Sequence, residues 1–299
     1  MHAGLSSGIR IEYDVSGPAN APAIVLVMGL GMQLTAWPPS FVEGLVARGF
    51  RVLRFDNRDV GLSSRSPGRG RADVRAAMLR ATLRLPSNPP YRLEDMAGDT
   101  TGLMDALGIA RAHVVGVSMG GMIAQVLAAL HPSRVASLTS MASSSGALRY
   151  AFHWSPAMRA MLTPPPRGAD EARLVDHLER IWTLIGSPGM QPPRETLRAQ
   201  LRANLRRSHD PAGVARQLLA VLASGDRRPL LRRIAAPTLV IHGELDPLVP
   251  IGAGRDTAAN VPGARFVAIP GLAHDLPEPL VPRLVDEIAS HCARADGPR

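Results

Sequence analysis

A chain of 299 residues, 45% apolar and 20% charged, has the length of one or two domains with a sizeable core, and this composition excludes general disorder. No apolar run approaches the ~18–20 residues of a spanning helix, no basic start followed by an apolar segment marks a secretory leader, and the single Cys292 excludes an intrachain disulfide or a cysteine-based zinc cluster. The expectation is a cytoplasmic protein without a membrane span. All 34 cations are arginine, and the net charge is +9.

Strand and helix signals then alternate. Ile9–Val15 alternates apolar and polar residues, as a half-buried strand does. Ala23–Met28 (AIVLVM) is a continuous apolar run, the pattern of a strand covered on both faces. Phe41–Ala47 has helical spacing, and Arg51–Phe55 reads as a strand. A short insert over Arg65–Tyr91 contains one helical stretch, Ala72–Leu83. Leu93–Leu107 reads as a helix stopped by Gly108, His113–Val117 as a buried strand, Met122–Leu130 as a buried helix and Val135–Met141 as a further strand. Three helical patterns follow: Glu171–Ile185, Glu195–Arg207 and Pro211–Ala223. Thr238–His242 and Arg265–Ile269 are the last strands, and Pro277–Arg294 is a closing amphipathic helix.

The rhythm predicts an α/β fold with a mostly parallel central sheet flanked by helices. Between Gly146 and Leu231 it breaks into helices separated by Pro- and Gly-rich joints. We therefore expect a core from residues 1–145 and 231–299, interrupted by a helical cap over 146–230. The basic charge falls mainly in the two insertions: residues 51–92 carry 10 arginines against 3 acids, and 145–233 carry 15 against 7. This pattern fits solvated helices or the steering of an anionic substrate. Nucleic-acid binding is not expected, because aromatics make up 4% and no recognition module is visible.

The strongest chemical signal is Gly116-Val117-Ser118-Met119-Gly120-Gly121 between an apolar strand and an apolar helix, the context a nucleophile elbow requires. Glycines flanking Ser118 let strand and helix approach closely, and the Met119 amide at the helix start is free to donate to an oxyanion. A serine hydroxyl needs a general base, and that base needs a carboxylate to orient it. Of nine histidines, His274 and His291 follow the plausible acid loops; His274 lies on a loop after a strand, whereas His291 lies inside the last helix, exposed or half packed. Asp246, between a strand and two prolines, is the candidate acid; Glu244 is its nearest competitor, and Asp275 is too close in sequence to His274 to reach back to the ring. The second oxyanion donor is expected in Met28-Gly29-Leu30-Gly31-Met32. Leu30 is preferred, with Gly29 and Gly31 one residue away. Met28, Leu30, Met32 and Met119 are expected to line the pocket. The Phe55–Gly61 turn, with Asp56 and Arg58, reads as a structural support beneath the site.

These motifs (MGLGM, FDNRDVGLS, GVSMGG, GELDP and GLAH, in that order) resemble those of the α/β-hydrolase superfamily, and most closely the aclacinomycin-methylesterase-like carboxylesterases. The resemblance covers nearly the whole chain. It implies an α/β-hydrolase fold, a Ser118–Asp246–His274 triad, an oxyanion hole of the Leu30 and Met119 amides, and no metal or organic cofactor. Met-Gly replaces the His-Gly common in the oxyanion loop, as the methylesterase-like subgroup does, and the insert over 65–91 is long for that subgroup. The expected function is hydrolysis of small to medium carboxylic esters through an acyl-enzyme. An acyltransferase, perhydrolase or C–C hydrolase would use the same triad, and a non-catalytic binding protein is the alternative from another class. The expected partner is a small-molecule ester; the sequence leaves the oligomeric state open.

Overall fold

The computed structural model describes residues 1–66, 73–83, 85–151, 155–166 and 168–297. Among these residues eight strands form one sheet: β1 (His2–Gly4), β2 (Arg10–Ser16), β3 (Ala23–Val27), β4 (Arg51–Phe55), β5 (Ala112–Val117), β6 (Val135–Met141), β7 (Thr238–Gly243) and β8 (Arg265–Ile269). Their order is β1-β2-β4-β3-β5-β6-β7-β8. The β1–β2 and β2–β4 pairs are antiparallel, and the other five are parallel. The α/β architecture expected from the alternating rhythm is present.

The apolar runs are explained by burial on both faces. Along β3, Val25 and Val27 enter one apolar cluster while Ile24 and Leu26 enter the other, and all four are fully buried. Helices α3 (Leu93–Ala106) and α4 (Met119–Leu130) contribute to the first cluster, as Leu103 and Ile123 do. Helices α1 (Pro39–Ala47) and α12 (Val281–Asp296) contribute to the second, as Phe41 and Leu284 do. Parallel strands place all their C-terminal ends along one edge, and loops there converge.

The remaining helices are α2 (Val74–Thr82), within the first insertion, and α11 (Ile251–Asn260), between β7 and β8. A helical insert joins β6 to β7 through α5 (Leu148–Ala151), α6 (Pro156–Leu162), α7 (Glu171–Ile185), α8 (Arg194–Arg207), α9 (Pro211–Ser224) and α10 (Arg228–Leu231). Local chemistry starts three of them. Ser155, Asp170 and Asp210 each accept a hydrogen bond from a first-turn amide, that of Met158, Arg173 and Gly213 respectively.

The structure differs from the sequence reading in several places. The expected helix over Ala72–Leu83 is α2, with Ala72 outside the described residues. Helix α4 begins at Met119 rather than Met122: Gly120 and Gly121 are helical residues, packed against the Val27 backbone and the Ser143 side chain respectively. Strand β1 was not anticipated; three residues are too few for alternation to register. Helix α11 (IGAGRDTAAN) lacks a strong apolar stripe, and α5 and α10 are single turns of four residues. No helix among the described residues is long and apolar enough to cross a membrane.

Candidate active site

Ser118 sits between β5 and α4 with φ +56° and ψ −120°. Positive φ is unusual for a residue with a Cβ, and it turns the side chain out of the strand-to-helix reversal. The reversal is tight because its glycines are pressed against backbone. A Cβ on Gly116 would lie 2.2 Å from the Gly120 carbonyl oxygen, and one on Gly120 would lie 2.0 Å from that of Val27. The turn is pinned on both sides. The Ser118 amide donates to the Met141 carbonyl (2.9 Å), and Ser143 Oγ donates to the Ser118 carbonyl (2.8 Å).

The loops after β7 and β8 meet this turn. His274 Nε2 lies 3.1 Å from Ser118 Oγ, and His274 Nδ1 lies 2.7 Å from Asp246 Oδ2. The other carboxylate oxygen of Asp246 accepts from the Leu248 and Val249 amides (2.9 and 2.8 Å), so the turn closed by Pro247 and Pro250 fixes it in place. The Asp246 side chain is fully buried and that of His274 is 7% exposed. Burial alone would raise the Asp246 pKa. The facing charge and hydrogen bond of His274, with the nearby His242, outweigh it and hold the carboxyl well below its usual range. For His274, burial favours the neutral ring, but the Asp246 charge and hydrogen bond, helped by Asp275, raise its pKa above the ordinary imidazole value. The three residues singled out in sequence are thus in one hydrogen-bonded line.

Their competitors lie elsewhere. Glu244 is exposed. Asp275 accepts from the amide and hydroxyl of Ser187 (3.0 and 2.5 Å). His291 is not half exposed but buried. Its Nε2 donates to the Pro237 carbonyl (3.2 Å), and burial pushes its pKa down to about 4.

The loop after β3 passes close by, since a Cβ on Gly29 would lie 3.3 Å from that of Ser118. The Gly31 amide is committed to Gln217 Oε1 (2.8 Å), which removes it from the candidate oxyanion donors. Among the described residues neither the Leu30 nor the Met119 amide has a hydrogen-bond partner. Beneath this loop Asp56 accepts from the Leu34 amide (2.7 Å), Asn57 Nδ2 donates to the Met28 carbonyl (3.0 Å), and Arg58 forms a buried pair with Asp99 (2.6 and 2.7 Å). The Phe55–Gly61 turn therefore supports the loop.

These parts open on a cavity of about 2270 Å³ between the sheet edge and the insert. Ser118, Met119, Leu30 and His274 all line it, and so do eight of the twelve methionines, Met28, Met32 and Met119 among them. The described lining of the cavity is not predominantly cationic. Its described lining has Arg75, Arg92 and Arg227 as cations, against six carboxylate residues. Many insert arginines are instead paired, such as Arg216 with Asp59 (2.7 Å), Arg207 with Asp56 (2.8 Å) and Arg206 with Glu171 (2.9 Å).

A family model described as the alpha/beta hydrolase fold matches residues 22–278. The chain belongs to the α/β-hydrolase family. The hydrolase is similar to rhodomycin D methylesterase of Streptomyces sp. (strain C5), 30% identical over 301 residues that cover 94% of each chain. It is also similar to a 2-hydroxy-6-oxononadienedioate/2-hydroxy-6-oxononatrienedioate hydrolase of Paraburkholderia xenovorans (strain LB400), 28% identical over 86% of this chain and 82% of that one. Among solved structures it resembles the enol-lactonase from Burkholderia xenovorans LB400, with TM-score 0.74 and 27% identity over 97% and 99% of the two chains. Sequence reasoning missed several residues around the site of the hydrolase. His242 Nε2 donates to the Val249 carbonyl (2.8 Å) and lies 3.5 Å from Asp246. Ser187, from the insert, holds Asp275 and accepts from the Ala273 amide (2.9 Å). Strand residue His242 and the remote Ser187 and Gln217 carry no motif.

Proposed function

We propose that the hydrolase cleaves carboxylic esters through an acyl-enzyme, with Ser118 as nucleophile, His274 as general base and acid, and Asp246 as the carboxylate that orients His274. The observation that carries this reading is the unbroken line Ser118 Oγ–His274–Asp246 at the strand-to-helix turn, with its hydrogen bonds of 3.1 and 2.7 Å. Ser118 Oγ attacks the ester carbonyl carbon while its proton passes to His274 Nε2. The amides of Leu30 and Met119 donate to the resulting oxyanion. Collapse expels the alcohol, which takes the proton from His274, and water then attacks the acyl-enzyme by the same route. Asp246 stays ionised and stabilises the imidazolium. The groups required are all side chains and amides of the protein, and no metal or organic cofactor is invoked.

The insert over 146–230 acts in this reading as a cap over the cavity. The volume of about 2270 Å³ exceeds the ~300–1,000 Å³ of ordinary small-molecule sites, and thioether side chains adapt to varied apolar shapes. Both features support esters with a bulky apolar portion, at or beyond the upper end of the small to medium range expected from sequence. A p-nitrophenyl ester series from acetate to palmitate, with wild type and Ser118→Ala in parallel, tests the proposal. Turnover abolished in the variant, with an optimum beyond short acyl chains, is the expected outcome. Equal turnover by the variant, or none by a folded wild type, would overturn the esterase assignment.

A further inference from the structure

The loop expected to supply the Leu30 amide is a four-residue turn. The Met32 amide donates to the Gly29 carbonyl (3.2 Å), and Gly31 has φ +68°, the combination found in a type II turn with glycine third. Because a trans peptide points its C=O and N–H in opposite directions, turning the Gly29 carbonyl towards Met32 sends the Leu30 N–H the other way. The next peptide, Leu30–Gly31, shares the Leu30 Cα with it, so whatever anchors the Gly31 N–H also anchors the residue that carries the Leu30 N–H. In this protein the Gly31 N–H is held by Gln217 Oε1 at 2.8 Å.

Gln217 itself is fixed at both ends. It is fully buried, and its Nε2 donates to the Arg58 carbonyl at 2.8 Å. Arg58 is in turn anchored through its guanidinium to Asp99 on α3. A single carboxamide therefore ties the turn after β3 to the core-anchored turn after β4. It does so from α9, a helix of the insert. The same helix lines the cavity through Val214 and Leu218, and Val214 Cγ2 would lie 3.0 Å from a Cβ on Gly31.

We infer that Gln217 is a positioning residue for the oxyanion hole: it locks the Gly29–Met32 turn so that the Leu30 amide is aimed before substrate arrives. The inference rests on the ester-hydrolase reading above. It adds that the insert, besides enclosing substrate, sets a transition-state donor. Donors of this kind must hold position to within about 0.5 Å to be effective, so a turn freed to rotate loses rate rather than affinity.

The test uses the full chain with Gln217→Met, which keeps side-chain length and removes both hydrogen bonds. With p-nitrophenyl butyrate, kcat is expected to fall roughly 10–100-fold, less than the ~10²–10³ of losing a donor outright, with KM within about threefold. A purely structural role would not predict the second readout. 1,1,1-Trifluorooctan-2-one adds Ser118 Oγ to its carbonyl carbon and so places an oxyanion in the hole, whereas octan-2-one measures ordinary cavity binding. Gln217→Met should weaken inhibition by the fluoroketone by the same factor as kcat and leave octan-2-one unchanged. An unaltered ratio of the two inhibition constants, or a loss confined to melting temperature, overturns the inference. If Gln217→Met does not fold, Gln217→Asn, too short to span both partners, carries the same expectations and the same refutation. Ser118→Ala separates the two levels. Undiminished ester turnover in that variant sinks the esterase reading and the inference with it, while an active-site serine with an unchanged inhibitor ratio in the Gln217 variants sinks the inference alone.

Discussion

β3 and α9 lie on either side of the candidate site and are held by different means. β3 is fixed by apolar burial: Ile24, Val25, Leu26 and Val27 are all inaccessible and alternate between two cores. α9 has only Gly213, Gln217 and Ala220 buried, and it is tied down by Arg216 on Asp59 and by the two hydrogen bonds of Gln217. Apolar burial is strong but non-directional, so it sets where the sheet and its strand ends are. Hydrogen bonds and ion pairs are directional, so they set how loops at those ends are turned. The sheet brings Ser118, Asp246 and His274 to one edge, and the insert grips the loops on both flanks, at Gly31 and at Asp275.

The largest expected effect lies at the meeting point of the two regions. Ser118→Ala and His274→Ala should each lower kcat by roughly 10⁴–10⁶ with little change in melting temperature, and Asp246→Asn by roughly 10³–10⁴. Steady-state ester kinetics beside thermal melts would check this; a comparable loss of stability would mean that these groups hold the fold instead.

Next come substitutions that set the two kinds of support against each other. Leu26→Ala in β3 should cost about 2–5 kcal/mol in urea unfolding through the cavity it leaves. Arg216→Ala should cost about 3 kcal/mol, because it leaves the buried Asp59 carboxylate without its cation. A negligible cost for Arg216→Ala would break the comparison and show that the insert docks by apolar contact alone.

The pH dependence is a smaller effect with a defined sign. The proposed mechanism requires neutral His274, whose pKa burial would lower but the charge and hydrogen bond of Asp246, with Asp275, raise. kcat/KM should therefore fall as pH drops through a value above the usual ~6.5, and Asp275→Asn should move that limb to lower pH. A limb at or below 6.5 in wild type would contradict the assignment. The smallest effect is expected for Arg206→Ala. Its pair with Glu171 is exposed at both ends (70% and 41%), so the urea-unfolding midpoint should stay within error of wild type.

The legible parts of the sequence were those whose physics is local. Ala23–Val27 advertises a strand covered on both faces, and Gly116–Gly121 advertises a tight reversal because nothing larger than glycine fits the contacts at positions 116 and 120. Asp246 and His274 were legible for a related reason: each follows an apolar strand directly, and parallel strands end on one edge. Gln217 and Ser187 were not legible. Each meets its partner across a long stretch of chain, and buried amides and hydroxyls in polar helices or joints leave no periodic trace. The arginine-rich insertions fitted either solvated helices or the steering of an anionic substrate. Pairing could not be foreseen from charge counts, because Asp56 and Asp59 reach Arg207 and Arg216 from the turn after β4, and Glu171 reaches Arg206 from a neighbouring helix of the insert.

The thioether lining of the cavity also bears on how the protein would age under peroxide. Methionine oxidises to a sulfoxide that is polar and chiral, and eight of the twelve methionines line the cavity. The hydroxyl of Ser118 is inert to such an oxidant. Damage would therefore accumulate as poorer accommodation of apolar substrates, seen in KM before kcat, and methionine sulfoxide reductases would reverse it. Ser118 would outlast the pocket around it.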